Sequence, residues 1–400
     1  MKIRGNLLTQ ILIAFILAII LGVIFGNSVA VLKPLGDLFL RLIKFIIAPL
    51  VFTTLIVGVG SIGDPKQLGR IGIKTIVYYL FTTGVAIIIG LAVAFLISPG
   101  KGVNLTMEHQ DLKATEPTSI VDTFLNIVPT NPFAALAEGN ILQIIFFALF
   151  VGLAITFVGK KAEPVYNFFE GFAEVMYRIT GIIMKVAPLG ILGLVAPIIG
   201  GYGLSVLMPL LKVIIAVALG CILHAVLVYS TAVKTFAKMS PIRFFKGISP
   251  AALVAFSTAS SAGTLPVTIK NTQENLGVSN KISSFVLPLG ATINMDGTAI
   301  YQGVAVIFIA QFFGLDLTFM QLVTVVLTTI LASIGTAGVP GAGLIMLTMV
   351  LSSINIPLEG IALIAGIDRI LDMFRTTVNI VGDASAAVVV AGTEGELDKD

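Results

Sequence analysis

Apolar residues in this 400-residue chain come in long runs separated by short polar stretches. The first run covers residues 7–26, and others follow at about 35–62, 72–98, 120–158, 164–199 and 205–233. A helix needs about 20 apolar residues to cross the hydrocarbon, whereas a signal-peptide core has roughly 7–15. The first run is therefore a transmembrane helix, although Lys2 and Arg4 precede it in the manner of a leader. Runs longer than one crossing must tilt or break. Beyond residue 240 the pattern changes. The mildly apolar stretch 248–269 centres on Ser257-Thr-Ala-Ser-Ser-Ala-Gly-Thr-Leu-Pro266. Small hydroxyl residues, Gly and Pro make a poor continuous helix and a good hairpin tip. An uninterrupted serine-rich helix is the alternative, because hydroxyl groups bond within their own helix. A crossing at about 282–314 comes next, then a stretch at 317–353 broken by Gly335-Thr-Ala-Gly-Val-Pro-Gly-Ala-Gly343, then a last crossing at about 361–391. The two interrupted stretches precede Asn294-Met-Asp296 and Asp372 at nearly equal spacing, and paired Gly/Pro-broken segments in two halves point to a transporter's binding site.

Charge adds orientation. Basic residues follow alternate runs: Lys2 and Arg4, then Lys66, Arg70 and Lys74, then Lys160 and Lys161, then Lys234, Lys238, Arg243 and Lys246. Cytoplasmic loops carry the excess of Lys and Arg, which puts the N-terminus inside and gives six crossings before residue 240. A single crossing at 248–269 would export either Lys246 or Lys270 and Lys281, whereas a hairpin that dips in and returns exports neither. Composition agrees with a membrane-embedded chain: 57% of residues are hydrophobic and 11% charged, with mean hydropathy +1.05. A soluble domain has roughly 45–50% and about 25%. The 24 Lys and Arg form no basic face, which argues against nucleic acid. One cysteine, Cys221, excludes an intrachain disulfide, and the two histidines, His109 and His224, read as isolated polar residues. The acidic end, Glu394 to Asp400, reads as a solvated tail.

Chemistry concentrates in two places. In the last crossing, Asp368, Asp372, Arg375, Thr376, Asn379 and Asp383 fall within an arc of about 100° on a helix. Each charge at the bilayer centre costs at least about 2.5–3.5 kcal/mol, so this face must look onto partners or water. An internal ladder in which Asp368 or Asp372 holds Arg375 is one reading. Asn379 and Asp383 extend the stripe beyond what one arginine neutralises, which favours a binding face. In the preceding crossing, Asn294-Met-Asp-Gly-Thr298 places glycine after two polar residues. Local unwinding there would bare carbonyl oxygens beside Asp296, the donors a dehydrated hard cation requires. A glycine kink with a capping aspartate is the alternative.

These four motifs, Asn-Met-Asp-Gly-Thr, the serine hairpin ending Gly-Thr-Leu-Pro, the glycine hairpin, and Asp-x-x-Arg-Thr-x-x-Asn-x-x-x-Asp, together with Val128-Pro-Thr-Asn-Pro-Phe133, closely resemble the glutamate/aspartate transporter family, the dicarboxylate/amino acid:cation symporters. The likeness covers nearly the whole chain and is nearest to prokaryotic sodium-coupled aspartate carriers. It implies an all-α integral membrane fold: eight transmembrane helices plus two re-entrant hairpins, built as inverted repeats and assembled as a homotrimer. Scaffold helices would occupy 1–70 and 118–200. The transport, or elevator, part would comprise 71–100, 204–236, hairpin 242–276, helix 281–315, hairpin 317–353 and helix 357–392.

By motif position the resemblance gives Arg375 the substrate's side-chain carboxylate, Asp372 its ammonium, and Asn379 with Thr376 its α-carboxylate. Ser261, Thr298, Val339 and Gly343 complete the pocket. Guanidinium is a planar bidentate match to carboxylate, and an aspartate three residues earlier needs a cation opposite it. The resemblance also implies co-transported sodium at three places, with no organic cofactor. Asp383 with Gly290, Asn294 and Asn379 would form one site, and Thr292, Met295, Ser333, Ile334 and Thr336 a second. Tyr79, Thr82, Thr83, Asn294 and Asp296 would form the third. One departure stands out: members usually carry a second arginine near the substrate, at positions that here hold Ala259 and Met373, and Arg369 is the nearest spare guanidinium.

The expectation is therefore not an enzyme but a symporter of the cell membrane. It would use inward sodium movement to take up L-aspartate or L-glutamate, with both termini cytoplasmic and the lipid bilayer and a homotrimer as its surroundings. A proton-coupled glutamate or C4-dicarboxylate carrier is the alternative within the class. Asp372 argues against the dicarboxylate, since succinate offers it no cation. A channel with re-entrant loops is the alternative outside the class, but a channel needs no bound-substrate constellation of both signs.

Overall fold

A computed structural model describes residues 7–60, 65–101, 125, 127–334 and 342–398. Among them regular structure is helical, apart from one isolated β-bridge. Six helical stretches are long and apolar enough to cross a membrane, Thr9–Phe39, Arg70–Ile97, Gln143–Ile183, Gly203–Phe236, Asn280–Phe312 and Leu363–Glu394. Their length and composition suit them to span a bilayer.

Helices α1 (Leu7–Phe25), α2 (Lys33–Gly60), α5 (Ile141–Val158) and α6 (Glu163–Tyr202) pack mainly on one another. Ahead of α5 the run at 120–158, too long for one crossing, is interrupted. The Asn131 side chain accepts the N–H groups of Phe133 and Ala134 and starts a separate short helix, α4 (Pro132–Glu138). The remaining helices gather around α12 (Asp296–Phe312), whose residues are all buried except Gln311. Its neighbours are α3 (Pro65–Ile97), α7 (Leu207–His224) and α15 (Ile361–Glu394), and α11 (Asn280–Ile293) packs on α15 and α3. The run expected as one crossing at 205–233 is α7, a π-helical turn at Ala225–Tyr229, and α8 (Ser230–Phe236).

The serine-rich stretch is two helices, α9 (Pro241–Thr258) and α10 (Ser261–Glu274), joined by two residues. Ala259 takes φ 49°, and Ser260 caps α10 by accepting from Gly263 N–H at 3.1 Å. The amide of Asn275, beyond the end of α10, donates to Gly247 O near the start of α9 at 2.9 Å, so the pair doubles back as a hairpin. A second pair follows, α13 (Phe319–Ser333) and α14 (Ala342–Ser353). Gln321 at the start of α13 donates to Ile354 O past the end of α14, which makes this a hairpin too. Its tip, 335–341, lies outside the described residues. Between α11 and α12 the helix breaks at Asn294 and Met295, where Asn294 is extended (φ −85°, ψ 104°). Non-helical backbone at membrane depth survives only where protein or water surrounds it, and the most apolar window of this span is wholly buried.

The acidic end is not a free tail. Glu394 pairs with Arg70 and Lys74 on α3, and Glu396 with Lys281 on α11. The hydrogen bond from Lys281 holds the Glu396 carboxyl below the ordinary glutamate range. The backbone of Glu396 and Asp398 hydrogen-bonds Ser279 and Gly277, so residues 395–398 are laid against the loop that joins α10 to α11.

Helices α3 and α12 cross at Gly90 and Gly303, where a Cβ on Gly303 would sit 2.8 Å from Leu91 N. Backbone cannot yield as a side-chain tip does. Gly303→Val is expected to cost about 1–3 kcal/mol or more through overpacking and to lower the midpoint of thermal unfolding in detergent. Gly171→Ala, inside α6 where nothing lies within 4 Å, should not lower that midpoint, since Ala favours the helix.

Candidate functional site

The polar stripe of the last crossing is buried along its length on α15: Asp368, Asp372, Arg375, Thr376, Asn379 and Asp383 are all buried, and Arg375 is only 1% exposed. Its guanidinium is enclosed from several sides. Nη1 donates to Asp368 Oδ1 at 2.9 Å. Nη2 lies 2.9 Å from Asp372 Oδ1, an ion pair whose alignment falls short of a hydrogen bond. The guanidinium carbon sits 4.2 Å from the centre of the Tyr301 ring, within cation–π range. Gly343, at the start of α14, approaches so closely that a Cβ there would collide with the guanidinium. The ladder that the sequence leaves as one reading is thus present, with Asp368 as its first member. It does not exhaust the stripe, because Asn379 and Asp383 face other partners.

Those partners lie at the break between α11 and α12. Asn379 Oδ1 accepts from Gly297 N–H at 2.8 Å, and its amide lies 3.4 Å from both Met295 Sδ and Thr298 Oγ1. Thr376 Oγ1 lies 3.4 Å from Asp372 Oδ1. Arg375, Asp372, Thr376 and Asn379 thus lie along one face of α15, where Asn379 meets Thr298 of α12 and Arg375 meets Gly343 of the second hairpin. Gln302 ties that hairpin in by donating to Gly343 O at 3.1 Å. Ser261 is buried at the start of α10, on the first hairpin. Val339 and Thr336 lie outside the described residues.

Two oxygen-rich clusters lie beside this face. In the first, the Asn294 amide donates to Asn379 O and Asp383 Oδ1, both at 2.9 Å. Gly290 faces Asp383 Oδ1 and the Tyr79 hydroxyl so closely that no Cβ would fit, and Asn294 Oδ1 is buried with no hydrogen-bond partner. In the second, Asp296 accepts from Thr83 at Oδ1 (2.7 Å) and from Tyr229 at Oδ2 (2.7 Å). His224 Nε2 lies 3.1 Å from Oδ2. His224, expected to be isolated, is thus a partner of Asp296. The π turn explains how. Residues five apart in an α-helix point about 140° apart, whereas the inserted π turn swings Tyr229 onto the side of His224. The rings meet edge to face, 4.8 Å between centres. Nothing in the sequence marks that turn.

Other assigned residues make single bonds, Tyr79 at the edge of the first cluster and the rest locally. Tyr79 OH donates to Val286 O, Thr82 Oγ1 to Tyr79 O, Thr292 Oγ1 to Leu289 O and Ser333 Oγ to Ile330 O, each a local or helix-to-helix bond. Ile334 ends α13 in extended conformation (φ −71°, ψ 110°). Among the described residues no group of three or more His, Cys, Asp or Glu forms a transition-metal site. The donors present are hydroxyls, amide oxygens and single carboxylates, which suit hard cations. Sequence reasoning missed His224, Tyr229, Tyr301 and Gln302. The last two follow Thr298 at helical spacing and were findable by that sign.

Comparison with known proteins bears on this arrangement. The sequence profile of the sodium:dicarboxylate symporter family matches residues 7–393. The proton/sodium-glutamate symport protein of Geobacillus stearothermophilus is 42% identical over 402 residues, covering 98% of this chain and 95% of the relative. The proton/glutamate-aspartate symporter of Escherichia coli K12 is 39% identical over 417 residues, covering 100% and 95%. The C4-dicarboxylate transport protein of Bacillus subtilis is 35% identical over 406 residues, covering 100% and 96%.

The geometry around Asp296 has a direct consequence. Tyr229→Phe deletes one of the donors to a buried carboxylate and is expected to cost about 1.5–3 kcal/mol of stability, read as a lowered midpoint in detergent melts. Tyr177→Phe, on α6 and outside this cluster, serves as the matched control.

Proposed function

The chain belongs to the sodium:dicarboxylate symporter family, and from that premise we propose that it couples inward sodium movement to the uptake of acidic amino acids, L-aspartate and L-glutamate. Transport rather than catalysis is what the family and the relatives named above do. The observation that carries the substrate reading is the pairing of opposite charges on one buried face. Arg375 offers a guanidinium to a carboxylate, and Asp372, three residues earlier, offers a carboxylate to an ammonium. An acidic amino acid brings both groups. Its side-chain carboxylate replaces Asp368 or Asp372 on Arg375, its ammonium takes Asp372, and its α-carboxylate meets Asn379 and Thr376. Ser261, Thr298, Val339 and Gly343 complete the wall.

Sodium coupling is supported by the oxygen donors beside this face, above all the buried Asn294 Oδ1 that has no hydrogen-bond partner near Asp383. In this reading Asp383 with Gly290, Asn294 and Asn379 holds one ion. Thr83 and Asp296 with Tyr79, Thr82 and Asn294 hold another, and Thr292, Met295, Ser333, Ile334 and Thr336 a third. In this reading the two hairpins are re-entrant and the transmembrane helices number eight. The group α1, α2, α5 and α6 is the scaffold of a homotrimer in the cell membrane. The group around α12 is the part that moves like an elevator, with both chain termini cytoplasmic. A proton-coupled glutamate or C4-dicarboxylate carrier is the competing reading, since relatives bear both names. Asp372 weighs against a cargo without a cation.

Uptake of labelled aspartate, glutamate and succinate into proteoliposomes, with sodium and proton gradients imposed separately, decides between them. Aspartate and glutamate should accumulate only with sodium outside. Equal uptake without sodium removes the ion assignments, and succinate accumulation removes the substrate reading. Arg375→Ser should cost about 2–5 kcal/mol of acidic substrate binding, and Asp372→Asn should abolish amino-acid binding. Undiminished aspartate uptake by the first, or wild-type affinity in the second, contradicts the pocket assignment.

A further inference from the structure

Arg369 lies one turn before Met373 on α15 and has no place in the site described above. Its side chain is 18% exposed and reaches two elements at once. Nη2 donates to Thr258 O at 2.9 Å, and Nη1 lies 3.8 Å from Asp372 Oδ2. Nε is buried with no hydrogen-bond partner. Thr258 is the last residue of α9, at the tip of the first hairpin, and Ala259 turns the chain there with φ 49°. Carbonyls in the last turn of a helix lack intrahelical partners and form the negative end of its dipole, so a guanidinium is well matched to this one.

We propose that Arg369 is a specificity-determining positioning residue of the substrate site: it ties Asp372 to the tip of the first hairpin and neutralises the ladder before cargo enters. The inference rests on the acidic amino acid reading given above. Asp368, Arg375, Asp372 and Arg369 alternate in sign, and their formal charges cancel. An acidic amino acid, with two carboxylates and one ammonium, brings one net negative charge into a poorly screened interior. Without Arg369 the ladder already carries a formal negative charge, and the cargo adds another. The charge of Arg369 therefore favours anionic cargo. Its planar fork does something a point charge does less well, because separate N–H groups face the carbonyl and the carboxylate. Ser261 stands three residues beyond Thr258, so the tether also fixes how the first hairpin presents its hydroxyl to the pocket.

The test uses full-length protein in proteoliposomes. Arg369→Gln is expected to raise KM for aspartate and glutamate roughly ten- to a hundredfold while kcat stays within about twofold. Arg369→Lys, which keeps the charge, should recover most of that loss. A KM within about threefold of wild type in Arg369→Gln, or equal loss in both variants, overturns the proposal. A second arm needs no cargo. In a Cys221→Ala background, cysteine at the exposed hairpin position 262 (Ala262→Cys) should react faster with a maleimide when Arg369→Gln is added. An unchanged rate overturns the tether. If wild-type protein takes up no acidic amino acid, the cargo reading fails by itself, and the labelling arm still decides whether Arg369 holds the hairpin.

Discussion

A guanidinium buried to 1% exposure in a chain that is 57% hydrophobic sets the terms for everything around it. Such a charge is stable only when paired and enclosed, and breaking a buried pair typically costs about 3–5 kcal/mol. Arg375 meets that demand with two carboxylates from its own helix, an aromatic ring from α12 and the backbone of the second hairpin. Each of these partners must come close, which is why glycine stands at 343 and why α12 is buried along nearly its whole length. The packing of the second group of helices follows from enclosing this one side chain.

The same enclosure lets backbone leave the helix. At Asn294 and Met295 the chain abandons its hydrogen-bond ladder, a cost that lipid would make prohibitive and that surrounding protein removes. The freed polar groups then serve the site. Asn294 reaches Asn379 and Asp383, Gly297 N–H reaches Asn379, and Asp296 gathers Thr83, Tyr229 and His224. The tip of the first hairpin does likewise, where Thr258 O accepts from Arg369. A carrier needs a hollow that is polar yet shielded, with walls able to part. Broken helices and short hairpin arms supply such walls, whereas an unbroken bundle would not.

Much of this was legible in the residues. The long apolar runs announced the membrane class, and the serine-rich stretch marked a hairpin by its turn-forming composition. The stripe from Asp368 to Asp383 marked one face of one helix because helical periodicity is a local property. Where reading failed, the cause was distance or a local irregularity. Asn131 caps a short helix inside an apolar run whose length called for a break without placing it. Glu394 and Glu396 look like a solvated end until Arg70, Lys74 and Lys281 are brought beside them.

His224 makes the division plain. By sequence it is a lone histidine, because nothing near it signals a partner and an α-helix would turn Tyr229 away from it. The π turn and the packing of α7 on α12 bring both to Asp296, more than sixty positions away. Sequence by itself determined the membrane class, the breaks and the face that bears the charges, since hydrophobicity, turn chemistry and helical period act within a few residues. Tertiary structure decided the partners: which carboxylate holds Arg375, that Arg369 reaches the first hairpin, and what surrounds Asp296. Pairing of buried charges is settled by proximity across helices, and proximity is not written in any one segment.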